Sequence, residues 1–200
     1  MQYIALFITS IYIVLLFFLI ILNIYFIIII LGCRGLQITP AVTSSSKSIK
    51  KIINYLEEYI QKTKKQKIRI LDIGSGYGTM LFNINKALTK SFPNKKIEFT
   101  GYEIQKIPYK ISKLLNKSTN ITLIKDDINN LKDFNFDVIL TFILKKQQKQ
   151  FLHIYGKFPK NTIIIANSLP IPFNKKDSFK LVETIKVCYR WNIFIYNKLD

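Results

Sequence analysis

Ile70-Leu71-Asp72-Ile73-Gly74-Ser75-Gly76-Tyr77-Gly78-Thr79 puts an acid near the end of an apolar run, three glycines at alternate positions, and a helical pattern directly afterwards. A short apolar run bounded by turn residues reads as a buried strand. Glycines at this spacing make a tight turn where backbone approaches a ligand closely and takes positive φ. The unit is a strand, a turn and a helix N-terminus, with a small-molecule site at the turn.

The flanking sequence repeats this alternation. Ile49, Ile52, Ile53, Leu56 and Ile60 recur at helical spacing and predict an amphipathic helix from Ser46 to Gln61. Ile68 to Ile73 is the first strand, and Met80, Leu81, Ile84 and Leu88 form the inner face of the helix after the turn. Further strands are expected at Ile97–Tyr102, Ile121–Ile124, Phe136–Ile143 and Thr162–Ala166. A shorter helix carries Ile111, Leu114 and Leu115, and another runs from Lys145 to Tyr155 until Gly156 and Pro159 stop it. Phe179–Thr184 and Trp191–Tyr196 read as a terminal antiparallel pair. Strands alternating with helices predict an α/β class: a Rossmann-like, mostly parallel sheet with flanking helices and right-handed crossovers.

Upstream, Tyr3 to Leu31 is almost entirely Ile, Leu, Phe, Val and Tyr, interrupted only by Thr9, Ser10 and Asn23 among polar residues. About 20 such residues span a bilayer, so one N-terminal transmembrane helix is expected over residues 1–31. A cleaved signal peptide would need a basic start and a shorter apolar core, and Met1-Gln2 supplies no basic residue. Ile30-Leu31-Gly32-Cys33 loosely resembles a bacterial lipidation box, to which the same objections apply. No basic residue precedes the helix, whereas Arg34, Lys47, Lys50 and Lys51 follow it. The positive-inside rule then makes this a single-pass membrane protein with its C-terminal domain facing the cytoplasm, or the mitochondrial matrix in a eukaryote. Residues 32–46 form a connector with turn and N-cap residues at Pro40 and Thr43 to Ser46, and residues 47–200 form one α/β domain.

The chain has 200 residues and a net charge of +18. All of that charge sits outside the apolar segment. Anionic headgroups and nucleic acid would both favour such a surface, and an A/T-rich coding sequence would produce the same Lys, Ile and Asn with no partner at all. Two cysteines, Cys33 and Cys188, make no disulfide framework. A lone His153 and the absence of a Cys-x-x-Cys pair argue against a metal site.

In open parallel sheets ligands bind beyond the carboxyl ends of the strands. Three successive strands end in acids here: Asp72, Glu103 and Asp126-Asp127. A dinucleotide fingerprint has Gly-x-Gly-x-x-Gly and aims a helix dipole at pyrophosphate. This chain has Gly-x-Gly-x-Gly with an acid two residues before Gly74, which would repel pyrophosphate. The acid suits the ammonium and sulfonium of S-adenosylmethionine. Asp72, Gly74, Ser75, Gly76 and Gly78 form the turn of that site, Glu103 is placed for the ribose hydroxyls, and Asp127 or its rival Asp126 for the adenine amino group. Each acid also has a plain structural reading: a capping Asp72, a solvated strand end at Glu103, a turn signal at Asp126-Asp127.

The residues then match a family. Asp72 to Gly78 resembles motif I of class I S-adenosylmethionine-dependent methyltransferases. More narrowly, the chain resembles the membrane-anchored protein-lysine methyltransferases of the ADP/ATP carrier and the ATP synthase c subunit, with their bacterial relatives. Pro40-Ala41-Val42-Thr43-Ser44-Ser45, Gly101-Tyr102-Glu103-Ile104-Gln105 and Leu169-Pro170-Ile171-Pro172-Phe173 carry that match. Tyr77 stands where that family has Asp, Thr79 where it has Arg, and Thr43 where proline is usual. Thr141-Phe142-Ile143-Leu144 lacks the Asn-Pro-Pro-Tyr pattern of many nucleic-acid amino methyltransferases.

The resemblance implies a methyltransferase domain behind a membrane anchor, with a lysine of a membrane protein as acceptor and the bilayer as partner. Pro40 to Ser45 and Thr141 and Phe142 are expected to border the methyl group, and Leu169 to Phe173, with Pro170 and Pro172, to wall the acceptor channel. No residue stands out as a general base. A lipid or quinone-like acceptor fits the anchor equally well. RNA as acceptor follows from the charge alone, and a non-catalytic scaffold would follow if Tyr77 blocked the turn.

Overall fold

The computed structural model describes residues 2–34, 44–174, 178–189 and 191–199. Connector residues Pro40, Ala41, Val42 and Thr43 lie outside that set, and so does the side chain of Cys33. The chain divides into two compact units, Met1–Pro40 and Ala41–Asp200.

The first unit contains helix α1, Gln2–Arg34. Within it Phe7–Ile27 is a 21-residue span of mean hydropathy 2.7 with nothing buried. Its length and composition suffice to cross a bilayer. Asn23 donates its amide to the carbonyl of Leu19 at 2.9 Å, pairing a polar group within the helix.

The second unit begins with α2, Ser46–Lys62, capped by Ser45, whose hydroxyl accepts from the Ser48 N–H at 3.2 Å. Strands and helices then alternate: β1 Lys67–Ile73, α3 Thr79–Ser91, β2 Lys96–Tyr102, α4 Lys106–Leu115, β3 Ile121–Ile124, β4 Val138–Thr141, α5 Lys145–Gln150, α6 Leu152–Tyr155 and β5 Ile163–Ser168. A hairpin of β6 Phe179–Cys188 and β7 Trp191–Lys198 follows. The strand order is β3-β2-β1-β4-β5-β7-β6. β1 to β5 run parallel, whereas β7 is antiparallel to both β5 and β6. This is the Rossmann-like sheet with a terminal antiparallel pair that the alternation predicts.

Side chains alternate across the strands and fill two cores. On one face Ile68, Ile70, Phe99, Leu140 and Ile165 pack under Ile52, Leu56, Leu81 and Ile84 of α2 and α3. On the other, Leu71, Ile73, Ile139 and Ile164 pack against Ile154, Tyr155, Phe158 and Ile171.

Some expectations are corrected. The helix expected from Lys145 to Tyr155 is two pieces, because Phe151 takes φ −96° and ψ 4° and breaks the α run. The strand expected over Phe136–Ile143 is paired only from Val138 to Thr141. β6 runs beyond Thr184 to Cys188. Between β3 and β4, where no helix was expected, the chain makes a 3₁₀ turn at Ile128–Asn130.

Candidate active site

β1 carries Asp72 into the sheet between Gly101 of β2 and Leu140 of β4. Asp72 is 1 % exposed, and neither carboxylate oxygen has a hydrogen-bond partner in the protein. Burial, and after it the charge of Glu103, push its carboxyl up to about 7. An unpartnered buried carboxyl is costly unless a ligand supplies what the protein does not. Ser75 Oγ, also buried and unpartnered, lies in the adjoining turn.

The turn is built from backbone. Gly74, Gly76 and Gly78 all take positive φ. At Gly78 two constraints coincide: φ is +80°, and a Cβ there would sit 2.4 Å from the Phe82 ring. The N–H groups of Gly74 and Ser75 donate to the Tyr102 carbonyl at 3.0 and 2.9 Å, tying the turn to the end of β2. Gly101 leaves room for the turn, because a Cβ on it would meet Ser75 Oγ at 2.9 Å.

Glu103, at the end of β2, is buried and joins the same cluster. Its Oε2 accepts from the Gly76 N–H at 2.7 Å and its Oε1 from the Gln105 N–H at 2.7 Å. Burial raises its carboxyl above the usual range, and the N–H groups of Gln105, Gly76 and Ile104 oppose that rise. A carboxylate has about four lone-pair sites, so capacity remains for a ligand hydroxyl beside these N–H groups.

The remaining acids stand further along the rim. The Glu103 N–H donates to the Ile124 carbonyl at 3.0 Å, which fixes the end of β3 beside that of β2. Beyond it Asp127 accepts from the Asn129 N–H at 2.9 Å, and Asp126 from the Asp127 N–H at 2.7 Å and the Asn130 amide at 2.8 Å. Asp126 is exposed and Asp127 partly so. The structure therefore packs Asp72, Ser75, Gly76 and Glu103 together, with Asp126 and Asp127 engaged in their own turn.

A second cluster stands at the carboxyl ends of β4 and β5. Thr141 is buried, and its Oγ1 accepts from the Tyr155 hydroxyl at 3.4 Å. The next residue, Phe142, packs its ring against Trp191 with centroids 5.4 Å apart. The Trp191 indole N–H donates to Asn167 Oδ1 at 2.9 Å, and the Asn167 amide donates to Ser44 Oγ at 3.0 Å. Ser44 also reaches Met80 Sδ at 3.6 Å, in the first turn of α3. One polar chain thus links the connector, the cofactor-turn helix and β5.

Leu169–Phe173 is fastened beside it. Ser168 takes φ 84°, a left-handed conformation rare for an L residue, and turns the chain out of β5. Gln148 donates to the Leu169 carbonyl at 3.1 Å, and Tyr196 Oη accepts from the Ile171 N–H at 3.0 Å. Phe173 stacks on Phe179 at 4.4 Å and meets Tyr155 and Tyr196 edge-on. Pro170 is exposed and Pro172 half-buried, so one proline of the expected wall faces solvent.

Sequence reading missed Asn167, Trp191, Gln148 and Tyr196. Trp191 is the chain's single tryptophan, which was the available signal. Gln148 and Asn167 are ordinary polar letters until the fold buries them.

The model of the methyltransferase-domain family matches residues 64–183. The chain belongs to that family, and its cofactor is S-adenosylmethionine. An RNA methyltransferase from Salinibacter ruber, in complex with S-adenosyl-L-homocysteine, superposes with TM-score 0.60 at 11 % identity, covering 80 % of this chain and 95 % of its own. A putative class I S-adenosylmethionine-dependent methyltransferase from Listeria monocytogenes gives 0.61 at 18 %, covering 84 % and 65 %. A ribosomal protein L11 methylase from Lactobacillus delbrueckii subsp. bulgaricus gives 0.56 at 16 %, covering 75 % and 79 %. At these identities the likeness is one of fold. No curated protein matches the sequence.

The residues fit the cofactor. Asp72 offers a buried, unpartnered carboxyl that a cation would ionise, and the turn offers backbone at close approach, which suit a ligand carrying an ammonium and a sulfonium.

Proposed function

We propose that this chain is a membrane-anchored methyltransferase that methylates a lysine of a membrane protein, its catalytic domain on the cytoplasmic or matrix side. The observation that carries this reading is α1, an uncharged 21-residue span on the same chain as the cofactor site. Anchoring would confine enzyme and acceptor to one surface and raise their effective concentration.

When bound, S-adenosylmethionine supplies an activated methyl group on sulfur. The protein's part is to hold, orient and exclude water. Asp72 would face the cationic end, Glu103 the ribose, and Asp126 or Asp127 the adenine edge. Thr141, Phe142 and Trp191 would border the reacting nitrogen, and Pro172 would line the approach. A lysine accepts a methyl group only through a free nitrogen lone pair, so it must first lose a proton. Tyr155 is no base for this: burial pushes its hydroxyl up to about 12. An apolar, dry channel favours the neutral amine by desolvation, and Phe142, Trp191 and Phe173 would supply apolar surface for one.

A lipid or quinone-like acceptor is the second reading, favoured by those same aromatic walls. Membranes containing the full chain, incubated with methyl-labelled S-adenosylmethionine, distinguish the acceptors. Label in a protein band, lost when lysines are chemically blocked, is the expected result. Label in the organic extract selects the second reading, and label in RNA overturns both.

A further inference from the structure

α4 is built inside out. Ile107, Ile111, Leu114 and Leu115 fall on one stripe of its helical wheel, the pattern of a core-facing helix. Yet the residues it buries are Pro108 and Ser112, and the stripe faces solvent. Ile107 is 58 % and Leu114 82 % exposed, and Ile104 just before the helix is also exposed. Lys106, Lys110 and Lys113 run along one edge of the stripe, all exposed, while the buried positions lie along the other.

We propose that α4 is a second membrane contact, its apolar stripe seated in the interface of an anionic bilayer and its lysine edge on the headgroup phosphates. Three observations select that occupant. The lysines match anionic headgroups in charge, on a chain of net charge +18. An apolar stripe with a basic edge is the composition of interfacial helices, in which lysine stems lie along apolar surface while their ammonium groups reach water. The patch is also too small for a second copy: ten residues make a helix about 15 Å long, with far less surface than the ~800 Å² per partner of a stable interface. The choice of a bilayer rests on the anchor reading of α1, and α4 directly follows Glu103, so the contact would set the cofactor rim against the membrane.

The test uses the full chain, one copy per nanodisc, with Cys33→Ser and Cys188→Ser as background. An environment-sensitive fluorophore is placed on Leu114→Cys, an exposed position, and in a separate variant on Tyr12→Cys in α1. Discs are phosphatidylcholine alone or mixed in equal parts with phosphatidylglycerol. With phosphatidylglycerol the α4 label is expected to shift to the blue and to be quenched by spin-labelled lipid. Three lysines, each contributing roughly fivefold near an anionic surface, predict that Lys106→Gln, Lys110→Gln and Lys113→Gln together weaken docking roughly a hundredfold. An α4 label that stays water-like in anionic discs overturns the proposal, as does a blue shift without lipid quenching, which would mean a protein covers the stripe. The Tyr12→Cys label reports separately whether α1 inserts, so failure of the anchor and failure of α4 give different signals.

Discussion

Asp72 and Glu103 are two buried acids within one small cluster, and their shared burial has a sign that can be tested. An unfolded aspartate titrates near 4, whereas Asp72 in the fold is pushed up to about 7. Between those values the folded chain holds a proton that the unfolded chain has lost. Stability therefore falls as pH rises through that window and levels off above it. Asp72→Asn removes the titration, so its melting temperature should exceed the parent's at pH 8, with the gap narrowing toward pH 4. A gap independent of pH would contradict the assignment. The cationic cofactor favours the carboxylate, so binding near pH 6 should release a proton, visible as a buffer-dependent heat in calorimetry, and Asp72→Asn should abolish that release. At Glu103 the expectation concerns affinity. Hydrogen bonds to a charged group contribute about 1.5–3 kcal/mol, so Glu103→Ala should weaken S-adenosylmethionine roughly ten- to hundredfold. Unchanged affinity would remove Glu103 from the ribose.

At the scale of elements, much was legible because strands and glycines carry local signals. The run ending at Ile73, the turn and the acid at Glu103 were readable because apolar periodicity and positive φ are written into residue type. The cluster around Trp191 was not, since Asn167, Trp191 and Tyr196 meet their partners only once β7 lies antiparallel to β5, a pairing between distant stretches. α4 marks a different limit: periodicity located the helix, but nothing in it says whether the apolar stripe turns inward. The proposed role of Leu169–Phe173 can be probed at Tyr196, whose hydroxyl oxygen accepts from the Ile171 N–H inside the core. Tyr196→Phe leaves that buried donor unpaired, at a cost of about 1–3 kcal/mol. It should lower methyl transfer while cofactor affinity holds. Equal loss of both would mean that Leu169–Phe173 also shapes the cofactor turn.

At the scale of the whole molecule, α1 makes a prediction separate from the chemistry. A charge at the centre of a spanning helix costs about 2.5–3.5 kcal/mol on insertion scales. Leu16→Lys with Leu19→Lys should therefore move the full chain from the carbonate-resistant membrane pellet to the supernatant. Retention in the pellet would mean that α1 does not span.

The position of β7 in the sheet also orders events during synthesis. α1 is made before the cofactor turn, but β5 gains its outer neighbour only when Trp191–Lys198 has been made. Until then Asn167 lacks the indole N–H that holds it, Phe142 lacks its ring partner, and the Ile171 N–H lacks its acceptor. A nascent chain would thus hold the residues of its cofactor turn before the Phe142–Trp191–Asn167 cluster could close. The contacts that hold Asn167, Phe142 and Ile171 would therefore be the last of the domain to form, after α1 and the cofactor turn.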